Sequence, residues 1–154
     1  VIGGSGPLES ELRNLVTELD STNKVSFPGR IPWNEVPEFL AASDIFVLPS
    51  QRDNAGNLDG LPTVLLEAMS CGLPCVSYDI GGVNLVIENG SNGFLIHNSD
   101  SEKFLKQISK LIDNQELRTQ MGNNARKSII KKFNWHGVAK KIEEILNSCL
   151  DINK

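Results

Sequence analysis

The stretch DGLPTVLLEAMSCGLPCV, residues 59–76, leaves few options for the fold around it. It reads as loop, short helix, tight stop and buried strand. Pro62 suits the first turn of a helix, where its missing N–H is no loss. Gly72 suits the position just past the helix end, where the backbone turns left-handed. Between them Val64, Leu65, Leu66, Ala68 and Met69 make most of the helix surface apolar. Glu67 stands against that pattern. Residues three and four positions away share its face, and these are Thr63, Val64, Ser70 and Cys71, a small and partly polar set. A buried carboxylate with no partner costs roughly several kcal/mol. The helix is therefore expected to bury its apolar sides and turn one polar stripe, centred on Glu67, toward something small.

The start of this helix matters as much. Free backbone N–H groups at a helix N-terminus attract anions, each contact contributing about 0.3–1 kcal/mol at an exposed site. The approach from Asn54 to Gly60 is rich in glycine and asparagine and can bring backbone close to a ligand. Asp59 sits at its mouth. Spacing alone leaves two readings open. Asp59 and Glu67 face a common ligand, or Asp59 is a turn residue and Glu67 pairs with a nearby Arg or Lys.

The rest of the chain alternates strand and helix, which implies a mostly parallel α/β sheet. Residues 45–48 are a continuous apolar run, as in a parallel strand buried on both faces. The loop 49–60 follows its C-terminal end, where open α/β sheets bind ligands, and holds Arg52 and Asp53. Upstream, Val1 falls inside what reads as a strand, so the chain is expected to be a fragment. Gly3, Gly4 and Gly6 form a turn, and Pro7 opens a helix on which Leu8, Leu12, Leu15, Val16 and Leu19 recur at helical spacing. These are the ingredients of a phosphate loop without its full fingerprint, and glycine serves many turns for steric reasons alone. A short strand is expected at 24–27, a turn at 28–32 and an amphipathic helix at 33–42. That helix has Val36, Phe39 and Leu40 inward and Pro37 in its first turn. Arg30, a cation in the turn, is either a ligand contact or a solvated side chain.

Residues 75–78 are the next strand, Gly81 and Gly82 open a short helix at 83–87, and 94–96 is the last strand. The tail is helical. Ser99 and Glu102 make a capping box ahead of a stripe of Phe104, Leu105, Ile108, Leu111 and Ile112. Asn114 caps a second helix with Leu117, Met121, Ala125, Ile129 and Ile130 inward. Asn134 caps a third, carrying Val138, Ile142, Ile145 and Leu146. The lysines along 127–141 read as a solvated face. His97 and His136 have no carboxylate or cysteine at ligand spacing and receive no role.

Bulk properties narrow the classes. A chain of 154 residues makes one domain with a real core. Hydrophobic content of 40% and charged content of 22% fit a globular protein. A formal net charge of -4 with no basic run argues against nucleic acid as a partner. No apolar run approaches the roughly 20 residues of a membrane span, and no stretch is expected to act as a signal peptide. Cys71, Cys75 and Cys149 lie in apolar contexts and read as reduced packing residues. Cys71 and Cys75 lack the partners a zinc site needs.

Taken in order, these pieces resemble the donor-site signature of glycosyltransferase family 4, the group 1 glycosyltransferases of GT-B fold. There the pattern is an acidic residue, Gly, six residues, Glu, then Ala-Met and Gly-x-Pro before a strand. Residues 1–7, 25–29 and 42–50 resemble earlier strands and turns of the family. Gly81 with Gly82, residues 88–94, and Phe133 to Trp135 resemble later ones. The match covers nearly the whole chain. One departure is Asp59, where Glu is commoner; its carboxylate must come from a slightly different backbone position.

The resemblance implies an α/β, Rossmann-like open, mostly parallel sheet with helices on both faces, one truncated half of a GT-B fold. Residues 1–154 would be the C-terminal nucleotide-sugar-binding domain, lacking its first strand-helix segment, with the N-terminal acceptor domain absent. The implied activity is retaining transfer of a sugar from a nucleotide-diphosphate sugar to a glycan or lipid-linked acceptor, in polysaccharide biosynthesis. Glu67 would accept hydrogen bonds from the ribose hydroxyls. Asp59 would bond the transferred sugar and offset charge at its anomeric carbon. Backbone at Gly60, Leu61, Thr63 and Val64 would hold the diphosphate. The turn with Arg30 and Ile31 would lie beside the base, and Gly4 in the glycine turn would also border the substrate. No metal or other cofactor is expected. A cytoplasmic location, with peripheral membrane contact of the full-length enzyme, is implied. In the family an Arg and a Lys that clamp the diphosphate precede the first matching strand, so the isolated chain is expected to bind nucleotide weakly and transfer nothing. Two rivals remain. One is a non-catalytic Rossmann-like nucleotide-binding or pairing module, which would be monomeric if it stands alone. The other is a glycoside hydrolase, since paired carboxylates are its machinery; the helix N-terminus, suited to phosphate, argues against it.

Overall fold

The computed structural model describes residues 1–52 and 55–151; Asp53 and Asn54, expected in the ligand-facing loop, lie outside the described residues. The chain divides into two compact units, Val1–Phe39 and Leu40–Lys154.

In the first unit, α1 (Glu9–Glu18) follows the glycine turn. Its Arg13 pairs with Glu9 at 2.8 Å, one helical turn away, and stacks over the Phe27 ring at 4.5 Å. The expected strand at 24–27 does not form. Ile2 N–H donates to Ser26 O at 2.9 Å and Gly4 N–H to Gly29 O at 2.8 Å, but the pairing stops at a single parallel bridge, Gly3 with Gly29. The physical reason is local: Pro28 has no N–H for a ladder, and Gly29 turns the chain with φ +76°. The expected helix at 33–42 is a 3-10 turn, Trp33–Glu35, running into α2 (Val36–Ala41), whose Leu40 is buried.

The second unit holds β1 (Phe46–Leu48), β2 (Cys75–Tyr78) and β3 (Gly93–Ile96), all parallel, in the order β1-β2-β3. Every residue of β2 and β3 is buried, so both faces of these strands are covered, as their unbroken apolar character requires. Ser77 is the exception in chemistry. Its hydroxyl donates to Leu48 O at 2.9 Å, which removes the penalty of burying it. On one face Val76, Tyr78, Phe94 and Ile96 pack with Phe104, Leu111 and Met121 from two later helices. Burying each such side chain contributes about 1.5–3 kcal/mol. The Tyr78 and Phe104 rings lie 4.5 Å apart. β1 corrects the sequence reading. It ends one edge of this sheet, and Val47 stays 38% exposed where burial on both faces was expected.

Between β1 and β2 runs α3 (Thr63–Ser70). After β2 comes a 3-10 turn, Val83–Leu85, shorter than the expected helix at 83–87. A second 3-10 turn, His97–Ser99, leads into α4 (Ser101–Asp113). Asp100, not Ser99, caps α4: its carboxylate accepts from Lys103 N–H at 2.9 Å. Ser99 has φ +52° and so belongs to the preceding turn. Asn114 caps α5 (Gln115–Lys132), and the Asn134 amide oxygen accepts from Gly137 N–H at the start of α6 (Trp135–Asp151). The apolar stripes of these helices are narrower than periodicity implies. Leu105, Ile112 and Ile130 are exposed. Cys149 is exposed too, against the packing role expected of it, while burial pushes the Cys75 thiol far up and keeps it protonated and inert.

Candidate functional site

The site begins with how α3 is seated. Leu65, Ala68 and Met69 are buried and anchor one side. Thr63 and Ser70 are exposed, and Val64, Glu67 and Cys71 are half-buried, so the polar stripe faces outward as its spacing predicts. The helix starts one residue later than expected. Pro62 occupies the cap position itself, with φ -63° and ψ 118°, and Thr63 is the first helical residue. A proline side chain accepts no hydrogen bond, so it leaves the helix end without a side-chain cap. Leu65 N–H donates to Pro62 O at 3.1 Å. The N–H groups of Leu61, Thr63 and Val64 have no protein acceptor among the described residues.

The two acids are likewise unengaged. Asp59 is exposed in the loop between β1 and α3, and Glu67 is half-buried one turn into the helix. Among the described residues no ion pair or hydrogen bond reaches either carboxylate. The alternative in which Glu67 pairs with a protein cation therefore falls away among these residues. Three uncommitted N–H groups and two uncommitted carboxylates stand between β1 and the first turns of α3, at the ligand-binding end of a parallel sheet. Such an arrangement can receive an anion at the helix end and polar hydroxyls at the acids.

Gly4, Arg30 and Ile31 belong to the first unit. There the structure brings the glycine turn and the turn at 28–32 together: Gly4 has φ +114° and donates to Gly29 O, Arg30 is exposed, and Ile31 is half-buried. Gly60, Leu61, Thr63 and Val64 belong to the second unit with Asp59 and Glu67. A hollow of about 290 Å³ bordered by Asp44, Cys71, Pro74 and Arg118 lies at the other end of β1 and β2, beside their N-termini.

Two features escaped the sequence reading. The first is a partner for His97. Its Nδ1 lies 2.7 Å from an Asp79 carboxylate oxygen. Spacing hid this pair, because eighteen residues separate the two; the register that sets Tyr78 beside Ile96 carries the residues that follow each strand together. The second is the seat of Gly81 and Gly82. They pack directly on the backbone of Asp59 and Gly60, with Gly82 N–H donating to Gly60 O. Among the described residues no group of three or more His, Cys, Asp or Glu side chains is placed to hold a metal ion, and no helix is long and apolar enough to cross a membrane.

The profile of the family described as glycosyl transferases group 1 matches residues 1–128. The chain belongs to that family. Among curated group 1 relatives, the UDP-Gal:α-D-GlcNAc-diphosphoundecaprenol α-1,3-galactosyltransferase of Escherichia coli is 34% identical over 99% of this chain and 36% of its own length. A GDP-mannose-dependent monoacylated α-(1-6)-phosphatidylinositol monomannoside mannosyltransferase of Corynebacterium glutamicum is 32% identical over 96% of this chain and 38% of its own. The crystal structure of Anabaena HepE in complex with UDP-glucose superposes with a TM-score of 0.79, at 27% identity, over 95% of this chain and 40% of that one. The chain thus spans well under half the length of these group 1 relatives, and its Rossmann-like α/β fold is that of GT-B glycosyltransferases.

Proposed function

We propose that this chain is the donor-binding domain of a retaining glycosyltransferase of family 4, and that it holds a nucleotide-diphosphate sugar for transfer to a glycan or lipid-linked acceptor. The observation that carries this reading is the N-terminus of α3, without a side-chain cap, beside Asp59 and Glu67, neither of them paired among the described residues. The relatives' names and the HepE complex support the donor class: one relative uses UDP-Gal, another depends on GDP-mannose, and HepE is bound to UDP-glucose. Two different bases among relatives of similar identity mean that the shared fold does not select the base. The acceptor would meet the chain through a separate N-terminal domain, and a cytoplasmic enzyme of polysaccharide biosynthesis fits this chemistry.

In this reading the N–H groups of Leu61, Thr63 and Val64, with the backbone of Gly60, hold the diphosphate. The leaving diphosphate gains charge as the glycosidic bond breaks, and preorganised donors at a helix end stabilise that charge at no reorganisation cost. No metal is required for this. Glu67 accepts from the ribose hydroxyls. Asp59 bonds the transferred sugar and offsets positive charge at the anomeric carbon.

The test separates the acids in the full-length protein. Glu67→Ala should weaken donor and free nucleoside diphosphate alike, by about 1.5–3 kcal/mol, since ribose is common to both. Asp59→Ala should leave nucleoside diphosphate binding nearly unchanged and lower turnover about tenfold or more. Calorimetric titration beside a transfer assay reads both. Should Asp59→Ala abolish nucleoside diphosphate binding while Glu67→Ala spares it, the assignment is wrong.

A further inference from the structure

We propose that Gly81 and Gly82 form a positioning brace that sets where Asp59 and the backbone after it stand, so that they govern transfer of the sugar more than binding of the nucleotide. The proposal rests on the donor-site reading above.

The contact is backbone on backbone. A Cβ built on Gly81 would overlap the Asp59 carbonyl oxygen and lie 2.7 Å from Gly60 O. One built on Gly82 would lie 2.8 Å from Gly60 O and 3.3 Å from the Leu61 Cβ. Carbonyl groups cannot swing aside as a flexible side chain does, so a side chain at either position must push the loop away. Gly81 also has φ +60°, which most residues avoid. The Gly82 N–H donating to Gly60 O adds a directional tie.

The brace is itself held. Just before it, Asp79 N–H donates to Ile96 O at 2.8 Å, and the Asp79 carboxylate meets His97 Nδ1 at 2.7 Å. Just after it, Val83 and Val86 are buried. The turn is thus fastened to the end of β3 and to the core, whereas the Asp59 side chain is exposed and makes no hydrogen bond or ion pair among the described residues. Glu67 is positioned differently. The buried Leu65, Ala68 and Met69 around it on α3 fix its place without the glycine pair.

That difference predicts a kinetic split. Gly82→Ala in the full-length protein should lower kcat by about tenfold to a hundredfold, the scale of an ångström-sized misplacement. The Kd for free nucleoside diphosphate should rise by less than kcat falls, because Glu67 and the N–H groups of Thr63 and Val64 keep their place and only the share of the diphosphate's hold at Gly60 and Leu61 is disturbed. In the Asp59→Ala background, Gly82→Ala should cost several-fold less in kcat than it does in the intact protein, since the part of its effect that acts through the carboxylate is already gone. A general loss of structure would multiply the two effects instead. The brace is overturned if Gly82→Ala keeps normal kcat while Asp59→Ala loses it, or if the full penalty of Gly82→Ala persists without Asp59. If Asp59→Ala alone leaves turnover intact, the donor-site reading fails and takes the brace with it. Circular dichroism melting checks folding first. If Gly82→Ala does not fold, Gly81→Asn repeats the test, because asparagine tolerates the left-handed backbone yet still carries the obstructing Cβ.

Discussion

At its C-terminal end α3 is closed at every level. Gly72 N–H donates to Met69 O at 3.0 Å and Leu73 N–H to Ala68 O at 3.1 Å, the paired bonds of a Schellman motif. Arg126 of α5 donates to Ser70 O at 3.0 Å, placing a cation at the negative end of the helix dipole. Gly122 of α5 lets its backbone lie directly against Gly72. At the N-terminal end the groups are left open among the described residues: a proline at the cap, the N–H groups of Leu61, Thr63 and Val64 without acceptors, and the carboxylates of Asp59 and Glu67 without cations. A serine or aspartate at position 62 would have closed that end as well. The open end is thus a departure from what stability alone favours, and the proposed donor site lies where local satisfaction stops.

The largest effect expected from this contrast is at the closed end. Gly122→Ala places a Cβ on the Gly72 carbonyl oxygen and 3.5 Å from Pro74 Cδ, and should cost about 3 kcal/mol or more, since two backbones must part. Urea denaturation measures it; a loss under about 1 kcal/mol would mean the crossing of α3 and α5 is looser than its geometry. Next comes Gly72→Ala. With φ +81° at this position, the same measurement should read about 1–2 kcal/mol of destabilisation.

The open end should respond with the opposite sign. Pro62→Asp supplies the missing cap and should stabilise by about 0.5–1 kcal/mol. It should also weaken nucleoside diphosphate binding in titration, because the new carboxylate occupies the N–H groups and repels the anion. A destabilised variant that binds normally would erase the distinction between the two ends. The smallest effect is at Glu67, whose replacement by Ala should change stability by less than about 0.5 kcal/mol, since no protein partner is left behind. A large loss there would place Glu67 among the structural residues of α3.

Period and punctuation were legible along the chain. The apolar spacing of 59–76 specified a helix with one polar stripe, because burial follows a fixed 3.6-residue repeat. Gly72 marked its end, because few other residues adopt the left-handed turn, and Asn114 and Asn134 marked two later starts, because an amide oxygen can satisfy a free N–H. Residues 75–78 and 94–96 were legible as strands and match β2 and all of β3 but Gly93. All of these are local properties, and a residue and its near neighbours suffice to express them.

What lies beyond the near neighbours was decided by the tertiary structure. Val47, Leu105, Ile112 and Ile130 are apolar and periodic yet exposed, because burial requires a partner surface that periodicity does not specify. His97 met Asp79 only through strand register. Gly81 and Gly82 read as an ordinary turn, and only the packing of one loop on another revealed the carbonyls of Asp59 and Gly60 pressed against them. Which groups at the head of α3 lack local partners can be read along the chain; what holds those groups in place follows from contacts across distant segments, because these depend on register and packing, neither of which is written in any one stretch.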